Sequence, residues 1–237
     1  ARQQVLIKKL SALQNLGSMN FLFTDKTGTL TENNLQVKTI IEQHSSVQQT
    51  LLSIAVGSYE RTPMDSVFDT AISNYLNEPS EPVPLKLSPF QVERGYAVYT
   101  FPNGNQVIRG QYQHVADACN IEAASFLETC SEHECQGLRI IAVAEKAPAD
   151  LNYVLQGAIV FEDPLKSDAL SMYQALEDLG VDVKVITGDS LEVAKYVGNI
   201  LHPKTLNHFA FSMDGWKPDG TDAIEDYFIY ARCKPEQ

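Results

Sequence analysis

Two hydrophobic rhythms alternate toward the ends of this chain, and a different one fills its middle. The apolar run Phe21-Leu22-Phe23 is too short for a helix and is followed by Thr24, Asp25 and the polar string Lys26-Thr27-Gly28-Thr29, which predicts a strand delivering a carboxylate to its C-terminal tip. Upstream, Leu6, Leu10 and Leu13 recur at helical spacing and Gly17 is placed to stop the turn, so a helix between Ala1 and Met19 leads into that strand. Toward the other end, Val181 to Ile186 reads as a second strand, Thr187-Gly188-Asp189-Ser190 as a polar turn, and Leu191, Ala194, Val197 and Leu201 as the stripe of a helix ended by His202-Pro203. Ser167 to Leu179 reads as an amphipathic helix before it, with Leu170, Tyr173, Leu176 and Leu179 on roughly one face and Gly180 closing it. A further strand, Tyr227 to Ala231, follows a short helical stretch from Asp222 to Asp226. Strand, helix, strand, helix is the order of a parallel α/β sheet.

The middle lacks that alternation. Thr50 to Val56 and Val67 to Leu76 have helical spacing, whereas Pro79 to Pro89 holds four prolines and must be extended or irregular. Tyr96 to Phe101 and Gln106 to Ile108, separated by a stretch containing Pro102-Asn103-Gly104, predict a β-hairpin, and Gly137 to Glu145 and Leu151 to Val160 are apolar runs of strand type. The expected organisation is an α+β domain over residues 45–154, inserted between two parts of an α/β domain at 1–44 and 155–237.

Composition narrows the function classes. The 237 residues suffice for two modest cores, and 44% hydrophobic with 20% charged residues is ordinary for a globular protein. A net charge of -12 argues against nucleic acid or an anionic membrane surface as partner. No window approaches ~18 consecutive apolar residues, so no transmembrane helix is expected within the sequence. Cys119, Cys130, Cys135 and Cys233 form no CxxC pair, which fits a reducing compartment, and His44, His114, His133, His202 and His208 show no metal-ligand spacing. A monomer is expected.

The candidate chemistry sits at the two strand tips. A lone Asp after a strand usually just accepts backbone hydrogen bonds. In the string Asp25-Lys26-Thr27-Gly28-Thr29-Leu30-Thr31, however, the Gly28 turn can present N–H groups, Thr27 and Thr29 add hydroxyls and Lys26 adds positive charge, an arrangement suited to phosphoryl oxygens while Asp25 attacks phosphorus. Thr187-Gly188-Asp189 offers a hydroxyl and a helix N-terminus to the same anion; alone it is a weak signal, more often an ordinary helix cap.

The string from Asp25 to Thr31 resembles the phosphorylation motif of the P-type cation-transporting ATPases, and Thr187-Gly188-Asp189 resembles their second motif, with Ser190 where the family usually has Asn. Lys8 to Gly17 is similar in wording to the magnesium-translocating branch, class three B. The resemblance implies a haloacid-dehalogenase-like phosphorylation domain with an inserted α+β nucleotide-binding domain, ATP and Mg2+ as cofactors, and Asp25 as phosphorylated nucleophile. It also implies that this piece lies, soluble in itself, on the cytoplasmic face of a membrane as part of an integral membrane parent that moves a cation through segments outside this sequence. Carried over residue by residue, Asp163 and Lys166 of Asp163-Pro164-Leu165-Lys166 resemble the hinge element that orients the nucleotide and offsets phosphate charge. That segment also reads as a helix N-terminus capped by Ser167. Phe90 matches the aromatic that stacks on adenine, Asp69 an acidic pocket residue, and Arg139 a phosphate-contacting arginine. Arg94 is placed by a stretch one residue shorter than the family pattern, and Arg109-Gly110-Gln111 stands where the pumps have Lys-Gly-Ala. For Mg2+ the sequence offers the Asp25 carboxylate and the Thr27 carbonyl.

The family's next lysine and its later Gly-Asp-Gly-x-Asn-Asp element lie beyond Gln237, so the sequence is expected to be a fragment with little or no ATPase activity. Two other readings stay open: a haloacid-dehalogenase phosphatase with a cap domain, whose usual second Asp is here Thr27, and a non-catalytic nucleotide-binding module.

Overall fold

The computed structural model describes residues 17–43, 67–76, 86–121, 123–202, 210–216 and 227–234. The helices expected before Gly17, at Thr50–Val56 and at Asp222–Asp226, and the first part of the proline-rich stretch, lie outside the described residues.

Those residues fall into two compact units, one of residues 1–32 and 165–237, the other of 33–164. The first holds a four-stranded parallel sheet: β1 (Phe21–Asp25), β8 (Asp182–Ile186), β10 (Ile229–Ala231) and β9 (Ala210–Ser212), in that spatial order. Two helices, α4 (Ala169–Asp178) and α5 (Leu191–Leu201), share a core with it, formed by Ala169, Tyr173, Ala194, Val197 and Leu201 against Val183, Val185, Ile229 and Ala231. Helix α5 follows its sequence pattern, burying Ala194, Val197 and Leu201 on the one face that an amphipathic helix turns to its core.

The stripe of α4 is shifted from the expected one. Ala169 and Tyr173 are the buried positions, Leu170 is 37% exposed, and Leu179 is 79% exposed because it lies past the last turn, where Gly180 at φ 77° redirects the chain. Asp168, not Ser167, occupies the N-cap position.

The second unit is a six-stranded antiparallel sheet in the order β2 (Gln36–Glu42), β7 (Val154–Glu162), β6 (Arg139–Lys146), β5 (Gln106–Gly110), β4 (Tyr96–Thr100), β3 (Lys86–Ser88). Helix α1 (Val67–Leu76) contributes Ala71 and Ile72 to one core with Tyr99, Val107, Val143, Ile159 and Phe161. Helices α2 (Tyr112–Ala118) and α3 (Ala124–Cys135) contribute Tyr112, Val115, Phe126 and Cys130 to the other, with Ile108, Ala142, Ala144 and Ala158. Alternate strand residues thus feed opposite cores, as the two-residue period of a sheet demands. The expected hairpin is β4 and β5, closed by Phe101 N–H to Asn105 C=O at 2.8 Å, with Gly104 at φ 84°.

The division differs from boundaries at 44/45 and 154/155. The strand β2 was not anticipated, and β7 runs on to Glu162; the two pair antiparallel from Gln36↔Glu162 to Glu42↔Gly157. Strands belong with the sheet that takes their hydrogen bonds, so the insert begins at Asn33 and ends at Pro164.

Candidate functional site

Strands β1 and β8 are parallel neighbours with Asp25 opposite Ile186, so their C-terminal ends bring Asp25 and Thr187 to one edge of the sheet. This is the end at which open α/β sheets bind ligands. Asp25 is exposed there.

The chain after Asp25 makes a wide turn over Lys26–Leu30, in which Thr31 N–H donates to the Lys26 carbonyl at 3.1 Å. Gly28 sits at φ 77°, ψ -13°, a conformation that a side chain would strain. Its N–H donates to Thr31 Oγ1 at 3.0 Å, and Thr31 is buried. The turn is braced by the segment entering α4: Thr31 and Leu165 form an antiparallel bridge, Lys166 N–H donates to the Leu30 carbonyl at 2.9 Å, and Lys166 Nζ donates to the Gly28 carbonyl at 3.1 Å.

Thr187 is only 2% exposed and firmly placed. Its N–H donates to the Tyr230 carbonyl at 2.9 Å, its carbonyl accepts from Cys233 N–H at 3.0 Å, and its Oγ1 accepts from Asp189 N–H at 3.1 Å. A hydroxyl whose oxygen is already used as an acceptor keeps its proton for donation. Ser190 then caps α5, its side chain accepting from Val193 N–H at 3.4 Å.

An ion pair joins the two loops. The Lys26 ammonium meets the Asp189 carboxylate, with side-chain exposures of 3% and 11%. Sequence reading placed both residues at the site without seeing that they bind one another. The lysine therefore fixes loop to loop.

In the second unit the predicted nucleotide residues separate into two behaviours. Asp69 of α1 and Arg109 of β5 form a two-pronged pair, Arg109 Nη1 with Asp69 Oδ1 and Nη2 with Oδ2 at 3.0 Å, while the guanidinium lies 5.0 Å from the Tyr99 ring centroid. Burial works against the Arg109 charge, but the Asp69 hydrogen bond and the surrounding Tyr99 and Asp69 raise its pKa above the ordinary value. Arg94 braces a loop: Nε donates to the Tyr96 carbonyl at 2.9 Å and Nη2 to the Pro89 carbonyl at 2.8 Å. Phe90, on that braced loop, is 48% exposed and presents an apolar face to solvent.

Gly110 has a packing reason to be glycine, since a Cβ there would lie 2.2 Å from the Gly95 carbonyl oxygen. Arg139 opens β6 beside Phe161 of β7, and Asp163 Oδ1 accepts from Asn34 N–H at 3.2 Å. Arg94, Asp69 and Arg109 thus have structural partners that the sequence pattern did not reveal; the charge complementarity of Asp69 and Arg109 was its only available signal.

For a metal, the Asp25 carboxylate and Thr27 carbonyl are oxygens of the kind Mg2+ accepts. Among the described residues no group of three or more His, Cys, Asp or Glu side chains is placed to hold an ion. These two oxygens fit an ion that keeps most of its water or shares phosphate oxygens, as Mg2+ does.

The family model of the haloacid dehalogenase-like hydrolases matches residues 19–236. The chain belongs to that family. This haloacid dehalogenase-like chain is also 29% identical over 235 residues to the "Magnesium-transporting ATPase, P-type 1" of Escherichia coli (strain K12), covering 83% of itself and 26% of that protein. To the protein of the same description in Salmonella typhimurium (strain LT2) it is 30% identical over 241 residues, again covering 83% of itself and 26% of the relative. A "Probable proton ATPase 1A" of Leishmania donovani is 27% identical over 217 residues, with 85% of this chain and 22% of that one covered. The chain thus spans about a quarter of the length of these relatives. Its fold is similar to that of a zinc-transporting PIB-type ATPase solved in the E2.Pi state, with a TM-score of 0.55 and 23% identity over 84% of this chain and 31% of the other. The resemblance to P-type ATPases carried by the two motifs is therefore matched along most of the chain. Among the described residues no helix is long and apolar enough to cross a membrane.

Proposed function

We propose that this chain is the catalytic part of a P-type cation-transporting ATPase in which Asp25 is phosphorylated by ATP. The observation that carries the reading is the pairing of β1 with β8, which sets Asp25 and its turn beside Thr187, with Lys26 and Asp189 joining the loops. An Asp25 carboxylate oxygen attacks the γ-phosphorus; the bond from phosphorus to the β,γ-bridging oxygen breaks, and ADP leaves with the electron pair. Water later attacks the same phosphorus, the bond from phosphorus to the Asp25 oxygen breaks, and inorganic phosphate leaves as the carboxylate is regenerated. Thr187 Oγ donates its proton to a phosphoryl oxygen, and the turn at Gly28 supplies backbone donors. The Asp25 carboxylate and the Thr27 carbonyl would hold Mg2+, which when bound would offset charge on the transferring group.

Thr27 stands two residues past the nucleophile, where it can furnish no general acid, which favours a lasting phosphoenzyme over rapid hydrolysis and so a pump over a phosphatase. In the second unit, Phe90 stacks on adenine, and Arg139 and Asp163 meet the phosphates and ribose. Arg109, committed to Asp69 and Tyr99, shapes the pocket instead of clamping phosphate. The transported ion would be a cation, with Mg2+ supported by the names of the bacterial relatives, and the site would face the cytoplasm of a membrane-embedded parent.

The test is labelling of the complete protein carrying this sequence with γ-labelled ATP and Mg2+. A hydroxylamine-sensitive label is expected on the wild type and none on Asp25→Asn; a label persisting in Asp25→Asn sinks the proposal.

A further inference from the structure

We propose that Lys166 is a positioning residue for the Asp25 turn and not a ligand of the nucleotide, an inference that rests on the phosphorylation reading above. The turn hinges on Gly28, whose left-handed conformation only glycine adopts without cost, and which therefore flips more readily than any other peptide in the loop. Both polar groups of Gly28 are held. Thr31 Oγ1 takes its N–H at 3.0 Å, and Lys166 Nζ reaches its carbonyl at 3.1 Å.

Lys166 is delivered there by the backbone. Its own N–H donates to the Leu30 carbonyl at 2.9 Å, and Leu165 bridges Thr31, so two short stretches lie in fixed register with the ammonium aimed across the turn. In a trans peptide the C=O and N–H point in opposite directions. Fixing the Gly28 carbonyl toward Lys166 therefore fixes the Thr29 N–H toward the opposite side of the turn. Release of that carbonyl frees the Gly28–Thr29 peptide to rotate and withdraws the donor. The positive charge of Lys166, which the sequence pattern suggested for phosphate, is spent on a backbone oxygen, where a charge-assisted bond is stronger than a neutral one.

The experiment uses the complete protein carrying this sequence, with Lys166→Met and Lys166→Arg as variants. Three properties are read: microsecond to millisecond exchange broadening at the Thr29 amide by nitrogen-15 relaxation dispersion, affinity for beryllium fluoride with Mg2+ as a phosphoryl mimic, and affinity for ATP. Lys166→Met is expected to introduce exchange at Thr29 and to weaken beryllium fluoride binding about tenfold, the loss of one charge-assisted bond, while leaving ATP affinity unchanged; Lys166→Arg is expected to restore the first two. A quiet Thr29 amide in Lys166→Met, or a selective loss of ATP affinity, overturns the proposal. Should the wild type itself fail to take beryllium fluoride, the phosphorylation reading falls, and the Thr29 exchange alone then decides the role of Lys166.

Discussion

At the scale of single residues, the immediate neighbour of Asp25 is the one whose environment least resembles its sequence appearance. Lys26 reads as a positive charge that a polar loop offers to a phosphate, yet it is 2% exposed and paired with Asp189. Removing one member of a buried ion pair leaves the other uncompensated, at a cost of about 3–5 kcal/mol, whereas removing both is far milder. Lys26→Met is accordingly expected to lower the urea midpoint strongly, and Lys26→Met with Asp189→Leu to regain most of the loss; equal destabilisation in the single and double variants would show that the pair does not join the loops. Asp25 and Thr187 were legible in the sequence because strand tips and Gly turns are local signals. The pairs Lys26 with Asp189 and Asp69 with Arg109 were not, because the partners lie far apart in sequence and nothing in a charge pattern tells which acid meets which base.

At the scale of elements, strong periodicity carried over and weak periodicity did not. Helix α5 and strands β1, β4, β5 and β8 appear where the hydrophobic spacing puts them, while α2, α3 and β2 escaped notice. Helix α3 shows why: only Phe126 and Cys130 are buried in it, and a stripe of one aromatic and one cysteine among Ser, Glu, Thr and His barely rises above the background. That same helix and its neighbour carry a measurable signature. Burial pushes the Cys119 thiol up to about 11, and burial together with the nearby Glu134 charge pushes Cys130 up to about 12, from the 9.0 of an unperturbed thiol. The folded state keeps these protons after the unfolded chain has lost them, so their contribution to stability is complete below about pH 9 and declines as pH rises through the 9 to 12 window. Urea midpoints should fall over that window, and more gently in a Cys119→Ala, Cys130→Ala double variant; parallel pH profiles for the two proteins would contradict the assignment.

At the scale of the whole molecule, the alternation of βα units identified the outer fold, but the point of insertion had to be read from hydrogen bonding. A six-stranded sheet with a core on each face is a complete folding unit. We expect residues 33–164 expressed alone to give dispersed amide spectra and a cooperative melt, and residues 45–154, which lack β2 and nearly all of β7, to remain unfolded. A folded 45–154 piece would return the boundary to where the hydrophobic pattern first suggested it.

The antiparallel pairing of Gln36 with Glu162 has one more consequence. The chain leaves the parallel-sheet unit and re-enters it through two strands lying side by side, so the sheet receives the same narrow neck whatever its far side carries. To the parallel sheet the insertion is equivalent to a short hairpin tip, and the entropy of closing that gap is independent of the residues beyond it. Such a neck makes the insert an exchangeable cassette: its strands and helices can be lengthened, trimmed or replaced by another module without altering the register in which β1 meets β8.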